Sequence, residues 1–473
     1  MALSLHNTLS QQTHALQRNS EGTFRYYCCG PTVYGAAHIG NFRTFVLQDV
    51  LRRLLELESF NPIHVRNITD VDDKTIRQSQ SEGKTLRAFT KHWQQIFEED
   101  CQTLSLLPPH QSPSVADHIP HQVELIERLI ENGHAYEASD GVYFKVASFP
   151  TYGALAHLDL ETLASQSTNS AGDQNRADEY TKENIADFAL WKKHKPEDGE
   201  NAWPSPWGDG RPGWHIECSA MCVAHLGPTI DLHGGGIDLI FPHHVNEIAQ
   251  SEGATGKPFC QHWFHIAHLK VEGEKMSKSL GNLYTLRDLM AKGYSAEAVR
   301  YLLLSGHYRQ PLNFTFEGLH AATKALERID QFIHKLLQKN NLTANEWELL
   351  PMDWAALYFK AAREALCDDL KTPQALGALF SECHQLESEG KADVAILQSL
   401  KAVLFALGLK GLQPVMEVVI PESIQALAEK RWQAKQSKDF AASDVLRKEL
   451  LALGWSVMDE AQGYCLKELN IQK

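Results

Sequence analysis

Between Gly213 and Glu247 the sequence GWHIECSAMCVAHLGPTIDLHGGGIDLIFPHHVNE brings two cysteines, several histidines, two glutamates and three consecutive glycines into one short span. His243 and Glu247 stand four apart, and HHVNEIAQ reads as the opening of a helix, so both side chains share a face. Cys218, on the helix-like run WHIECSAMCVAHL, has the reach to close onto that face. Thiolate, imidazole and carboxylate together suit zinc in a tetrahedral shell. A fourth ligand must come from elsewhere, and Cys28 or Cys29, where FRYYCC stops at Gly30-Pro31, is the candidate. For His243 and Glu247 the plainer alternative is a satisfied core histidine beside a helix-surface acid.

Two further stretches carry chemistry. His38-Ile39-Gly40-Asn41 follows a strand and a turn at a helix start, where backbone N–H groups and the helix dipole favour phosphate. Gly40 would let a base or phosphate approach the backbone, and His38 could hydrogen-bond to charge developing on phosphorus. Lys275-Met276-Ser277-Lys278-Ser279 sets two lysines in a hydroxyl-rich loop able to grip a triphosphate as pyrophosphate leaves. Either stretch alone is a common surface or capping pattern. In this order, and more than two hundred residues apart, the pair is specific.

The elements that must position these residues follow from periodicity. Residues 24–29 read as a strand, 38–59 as a helix with Val46, Val50, Leu54 and Leu57 in one apolar stripe, and 63–68 as a second strand. Strand, glycine turn, helix, strand is a βαβ unit, which implies a doubly wound parallel (Rossmann-like) sheet with a crevice at the carboxyl ends of its strands. The fold class is therefore α/β, with an insertion, then a helical bundle and a small C-terminal domain. The catalytic domain is expected over 1–112 and 208–253, with the insertion at 113–207. The region that carries the KMSKS loop spans 254–320, the bundle 321–412 and the terminal domain 420–473. Runs such as GLHAATKALERIDQFIHKLLQK carry the i, i+3, i+4 pattern of a bundle. The polar stretch 165–178 reads as a mobile loop, and Asp70, Asp72 and Asp73 as solvated acids in a turn.

At 473 residues the chain is too long for one core. Hydrophobic content of 43% and charged content of 22% are those of a folded soluble protein. No apolar run is long enough for a membrane span, and the first twenty residues lack a signal-peptide core, which points to the cytoplasm. Nine scattered cysteines do not describe a disulfide framework. The net charge of −14 gives no basic footprint for nucleic acid, although a local patch remains compatible with it.

With these motifs in view, the chain resembles the cysteinyl-tRNA synthetases of the class I aminoacyl-tRNA synthetase family. The resemblance rests on YYCCGPTVY, HIGNFRTF, VRNITDVDDK, DFALWK, WPSPWG, GRPGWHIECSAM, DLHGGG, FPHH, NEIAQ, EKMSKSLGN, VRYLLLSGHYR and KDFAASDVLR, spread over nearly the whole length. It implies ATP-dependent formation of cysteinyl-adenylate and transfer to the terminal ribose of tRNA(Cys). It implies one Zn²⁺ on Cys29, Cys218, His243 and Glu247, taking the substrate as a thiolate, and Mg²⁺ with ATP. His38, Lys275 and Lys278 are the implied catalytic residues. Gly40, Asn41, Ser277 and the Gly234, Gly235, Gly236 run join them at ATP. Cys29, Thr69, Trp214 and His233 are placed at the amino-acid pocket. No editing domain, no membrane and a monomer are expected.

Three departures from the family pattern are Asn41 for the second histidine of the signature, Val245 for a usual glutamate, and the close QGYCLK. Two alternatives stand beside this reading. A sugar-amine ligase of the mycothiol-ligase type would be shorter at the C-terminus, and a non-catalytic RNA-binding paralogue would have lost KMSKS or the metal ligands.

Overall fold

The computed structural model describes residues 2–158, 187–277, 280–412, 421–437, 439–460 and 463–468. The 165–178 stretch, Lys278 and Ser279 lie outside the described residues. The chain divides into two compact units, Met1–Leu412 and Gln413–Lys473.

In the first unit, strands β1 (Phe24–Cys28) and β2 (Pro62–Arg66) flank helix α1 (Ile39–Leu57), the βαβ unit expected from periodicity. With β3 (Ile230–Gly236) and β4 (Cys260–Ile266) they form a four-stranded parallel sheet in the order β4-β3-β1-β2. Both strands of the βαβ unit stop short of the expected ends, and Cys29 stands just past β1. The register sets Cys28 opposite both Gly234 and Arg66, and His265 opposite Gly235. The carboxyl ends of β1, β3 and β4 thus meet at one edge.

Helix α1 is buried along most of its length, because it lies between the sheet and later helices. The buried Arg43 donates to the carbonyls of His268, His307 and Gln310. Asp49 accepts from Arg53 at 2.8 Å and from the buried Arg300 at 2.5 Å. These bonds satisfy charges that would otherwise be costly inside the protein.

The insertion folds on helix α2 (Ile119–Glu131) and an antiparallel sheet of Ala135–Ala138, Gly141–Phe144, Phe188–Lys193 and Gly210–Pro212. Its last strand delivers the chain through Gly213 to helix α3 (Trp214–Leu226). Helix α4 (Val245–Thr255) follows β3 after a short turn. Beyond residue 312 come the expected helices, among them Phe316–Lys339, Thr372–Ser388 and Val394–Leu407, which share one core with α1. The second unit pairs helices Glu422–Gln436 and Phe440–Ala452 with a hairpin of Trp455–Glu460 and Gly463–Glu468.

One expectation is corrected. Asp70, Asp72 and Asp73 are not simply solvated. Asp72 caps the helix Asp73–Ser81, Asp70 accepts from the Ala116 amide at 3.1 Å, and Asp73 pairs with Arg211 and with Lys192. Asp70 and Asp73 thus fasten this turn to Ala116, to Lys192 and to Arg211 on the last strand of the antiparallel sheet, while Asp72 serves its own helix.

Candidate metal centre and active site

Cys29, Cys218, His243 and Glu247 converge, with their ligand atoms all within 4.8 Å of one another. Each is supplied by a different element: the end of β1, the middle of α3, the turn entering α4, and α4 itself. The four are at most 8% exposed. Cys29 Sγ lies 3.9 Å from Cys218 Sγ and 3.6 Å from Glu247 Oε1, and His243 Nε2 lies 2.9 Å from the same oxygen. A tetrahedral zinc with ordinary bond lengths would space two sulfurs about 3.8 Å apart and a sulfur and an oxygen about 3.6 Å apart. The donor set and its spacing therefore fit that ion.

Cys28 does not take part. Its side chain packs in the core on the α1 side of the sheet, whereas Cys29 belongs to the core on the other side. The alternation of a strand sends consecutive side chains to opposite faces.

A second grouping shares Cys29 and Glu247 but uses His233 and His244. His233 Nε2 is 2.8 Å from Glu247 Oε2, the carboxylate oxygen turned away from His243. His244 Nε2 is 3.4 Å from Cys29 Sγ, while its Nδ1 meets His265 Nε2 at 2.7 Å. These rings line the floor of the cluster and hold its ligands in place.

Electrostatics agree with a site built for a cation. Burial opposes ionisation of Glu247, yet His233 and His243 hold it well below the usual carboxylate range. Burial likewise opposes charge on His243, but Glu247 and Cys218 push it up to about 10. A hydrogen bond from Cys29, working against burial, draws Cys218 down to about 6. Burial and then the contact with Cys218 push Cys29 well up. One of the two thiols ionises at the other's expense, and a bound dication favours the thiolate of both.

Trp214, 39% exposed, stacks on His243 with ring centroids 4.4 Å apart. His215 Nδ1 lies 3.0 Å from His243 Nδ1. Thr69 is buried after β2, where its hydroxyl accepts from Asn67 and its backbone bonds Val33 and Pro31. The glycine run behaves unevenly. A Cβ on Gly235 would lie 2.7 Å from His244, so that glycine makes room for a histidine. A Cβ on Gly234 would meet the side chains of Phe264, Gln48 and Tyr26, and one on Gly236 the carboxylate of Asp238.

At the start of α1, His38 is the helix cap. Its Nδ1 accepts from the Asn41 amide at 3.2 Å, and Asn41 Oδ1 accepts from the His38 amide at 3.1 Å. Asn41 therefore completes a reciprocal cap, a role its place in the signature did not disclose. Gly40 lies beneath Met276: a Cβ there would stand 3.3 Å from Met276 Sδ and 3.0 Å from the His38 ring. The Ile39 amide donates to the Tyr284 carbonyl, so the segment after KMSKS is tied to the first turn of α1. Lys275 is exposed at the end of a short strand, and its carbonyl accepts from Asn282, whose Oδ1 in turn accepts from the Ser277 amide. His215 and His265 escaped sequence reasoning, and His244 was set aside there in favour of His243. The only hint was the density of histidines around the two cysteine-bearing turns.

Residues 15–324 match the family model for the class I (C) tRNA synthetase catalytic domain. The chain is 53% identical to the cysteine–tRNA ligase of Opitutus terrae over 99% of each chain. It is 45% identical to that of Solibacter usitatus over 98% of this chain and 99% of the relative. Among solved structures, Mycobacterium tuberculosis methionyl-tRNA synthetase with methionyl-adenylate superposes with a TM-score of 0.57 at 17% identity, covering 89% of this chain and 96% of that one. That likeness speaks to the fold alone. Among the described residues no helix is long and apolar enough to cross a membrane. With near-complete coverage at these identities, the chain belongs to the cysteine–tRNA ligases of the class I aminoacyl-tRNA synthetases.

Proposed function

We propose that this chain activates cysteine with ATP and transfers it to the terminal ribose of tRNA(Cys), acting in the cytoplasm as a monomer. The observation that carries the reading is the buried Cys29–Cys218–His243–Glu247 arrangement at the carboxyl edge of the sheet. Zinc held there supplies selectivity, because it binds a substrate thiolate far better than a serine hydroxyl. A hydrophobic pocket separates substrates that differ by a methylene by only about 1–3 kcal/mol, whereas a site built for one polar group rejects analogues lacking it far more strongly.

The chain's own residues do the rest. Trp214 and Thr69 wall the pocket, and His233 holds the free oxygen of Glu247. The cysteine carboxylate attacks the α-phosphorus of ATP, and the bond to pyrophosphate breaks. His38 is set up to stabilise that phosphate. Its Nδ1 lone pair is used by the helix cap, so in the neutral ring the proton sits on Nε2, and burial keeps the ring neutral. Lys275, Ser277 and Lys278 hold the triphosphate, with Mg²⁺ entering on ATP itself. Gly40, Asn41 and Gly234 to Gly236 line the approach of the nucleotide. The ribose hydroxyl of the tRNA then displaces AMP. Residues 321–412 and 420–473 bind the tRNA body and anticodon.

Charging of total bacterial tRNA with labelled cysteine, with serine as control, tests the reading. Charging by cysteine alone is expected. If tRNA stays uncharged while cysteine-dependent ATP–pyrophosphate exchange proceeds, the acceptor assignment is wrong. Silence in both assays removes the enzyme assignment.

A further inference from the structure

Arg43 stands on the second turn of α1 with 1% of its surface exposed. Burial draws its pKa down to about 10, so it is still a cation at pH 7. Its hydrogen bonds go to carbonyls. One terminal nitrogen donates to His268 at 2.7 Å, and the other to His307 at 3.1 Å and to Gln310 at 2.6 Å. Those carbonyls stand at the foot of a small sheet. The strand Leu269–Val271 begins directly after His268, and Leu312–Phe314 begins just beyond Gln310. The two run parallel, and Leu269–Val271 pairs on its other side with Glu274–Lys275 in a tight hairpin. Lys275 lies opposite Lys270, close to the gripped His268 carbonyl.

The chain leaving this hairpin closes over the start of α1. Met276 lies over Gly40, the Tyr284 carbonyl accepts from the Ile39 amide, and Thr285 bridges to His38. Arg43 ties the same helix to the base of the sheet whose edge strand ends at Lys275. A guanidinium presents its donors in a rigid planar fork, so bonds to two separate loops fix an angle as well as a distance. A lysine ammonium is a point charge on a flexible stem and does not reproduce that fork.

We propose that Arg43 is a positioning residue for adenylate formation, setting the gap between the His38 turn and Lys275, a role that rests on the ATP site proposed above. The two motifs come from separate elements, and a misplacement of about 1 Å at a reacting centre costs on the order of a hundredfold in rate. The metal centre is insulated from this tie. Helix α1 packs on one side of the parallel sheet, and Cys29 belongs to the core on the other. Loosening Arg43 therefore harms the handling of ATP and spares that of cysteine.

The test is cysteine-dependent ATP–pyrophosphate exchange by zinc-loaded full-length protein, with Arg43→Lys and Arg43→Gln beside the parent. Arg43→Lys keeps the charge and loses the fork. Its kcat/KM for ATP should fall at least about tenfold, and that of Arg43→Gln further. KM for cysteine should stay within about threefold, with zinc per chain unchanged. A smaller loss in Arg43→Lys shows that charge suffices and overturns the proposal. Matching losses for ATP and cysteine, or loss of zinc, mark a merely structural residue and overturn it equally. If Arg43→Gln does not fold, Arg43→Lys alone decides. A parent without exchange removes the proposed activation and this role together, whereas an active parent beside an unaffected Arg43→Lys removes only the role.

Discussion

Trp214 lies on the face of His243, ring centroids 4.4 Å apart and planes inclined by 26°. Trp214, proposed as a wall of the pocket, and His243, a candidate metal ligand, are therefore one packed unit. His243 is fixed on its face by Trp214, at Nε2 by Glu247 and at Nδ1 by His215. When Nε2 binds a metal, Nδ1 of His243 carries the proton and His215 accepts it. Partners of this kind orient a ligand and raise its basicity.

His215→Phe removes that acceptor and should lower zinc affinity about 10–100-fold, read by competition with a chelator. His215→Gln keeps an acceptor and should recover part of the loss. Zinc affinity unchanged in the Phe variant would show that the stack alone orients His243.

Cys218→Ser removes a thiolate from the cluster without reaching the first turn of α1. Zinc content should fall below one per chain, and KM for cysteine should rise more than tenfold, while KM for ATP stays within about threefold. Equal damage to both would count against a substrate-binding metal.

Two glycines should respond in opposite directions to alanine. A Cβ on Gly30 would stand 1.6 Å from the Asn67 carbonyl oxygen, so Gly30→Ala must move one backbone segment off the other. A loss of more than about 3 kcal/mol is expected, seen as an early denaturant transition. Gly377, inside the helix Thr372–Ser388, has nothing within 4 Å of its added Cβ. Gly377→Ala should stabilise by about 0.5–1 kcal/mol.

Acid should weaken the fold through histidines buried in their neutral form. Burial draws His262 down to about 4, and burial, then Arg66 and Arg52, hold His64 well below the ordinary 6.5. In that window the unfolded chain binds protons that the folded chain refuses. Stability is thus full above about pH 6.5 and falls toward pH 4, at up to about 1.4 kcal/mol per pH unit for each group. Denaturant midpoints across that range measure it, and His262→Gln should flatten the slope. An unchanged slope would rule His262 out as a contributor.

Much of the site was legible because it is local. His243 and Glu247 share a face by helical spacing, and Cys218 lies on a helix whose pattern is plain. The choice between Cys28 and Cys29 was not legible from composition. Both end the same apolar run, and only the sheet's two packed faces separate them. Asp70, Asp72 and Asp73 misled for a related reason: Asp73 finds Lys192 119 positions away and Arg211 138 positions away. Asn41 read as a substitution in a signature, while its reciprocal cap with His38 depends on the first-turn geometry. The helix Phe316–Lys339 was plain from period alone, whereas the run 354–370 carries the same pattern and is helical only over Lys360–Cys367.

Cys29 and Glu247 are 218 residues apart in the chain yet 3.6 Å apart in space. On the ribosome, the first ligand emerges long before the last, with the whole insertion synthesised between them. No nascent chain ending before residue 247 can present the complete donor set. Capture of an ion by all four donors would therefore come late in biogenesis, once β1, α3 and α4 have found one another.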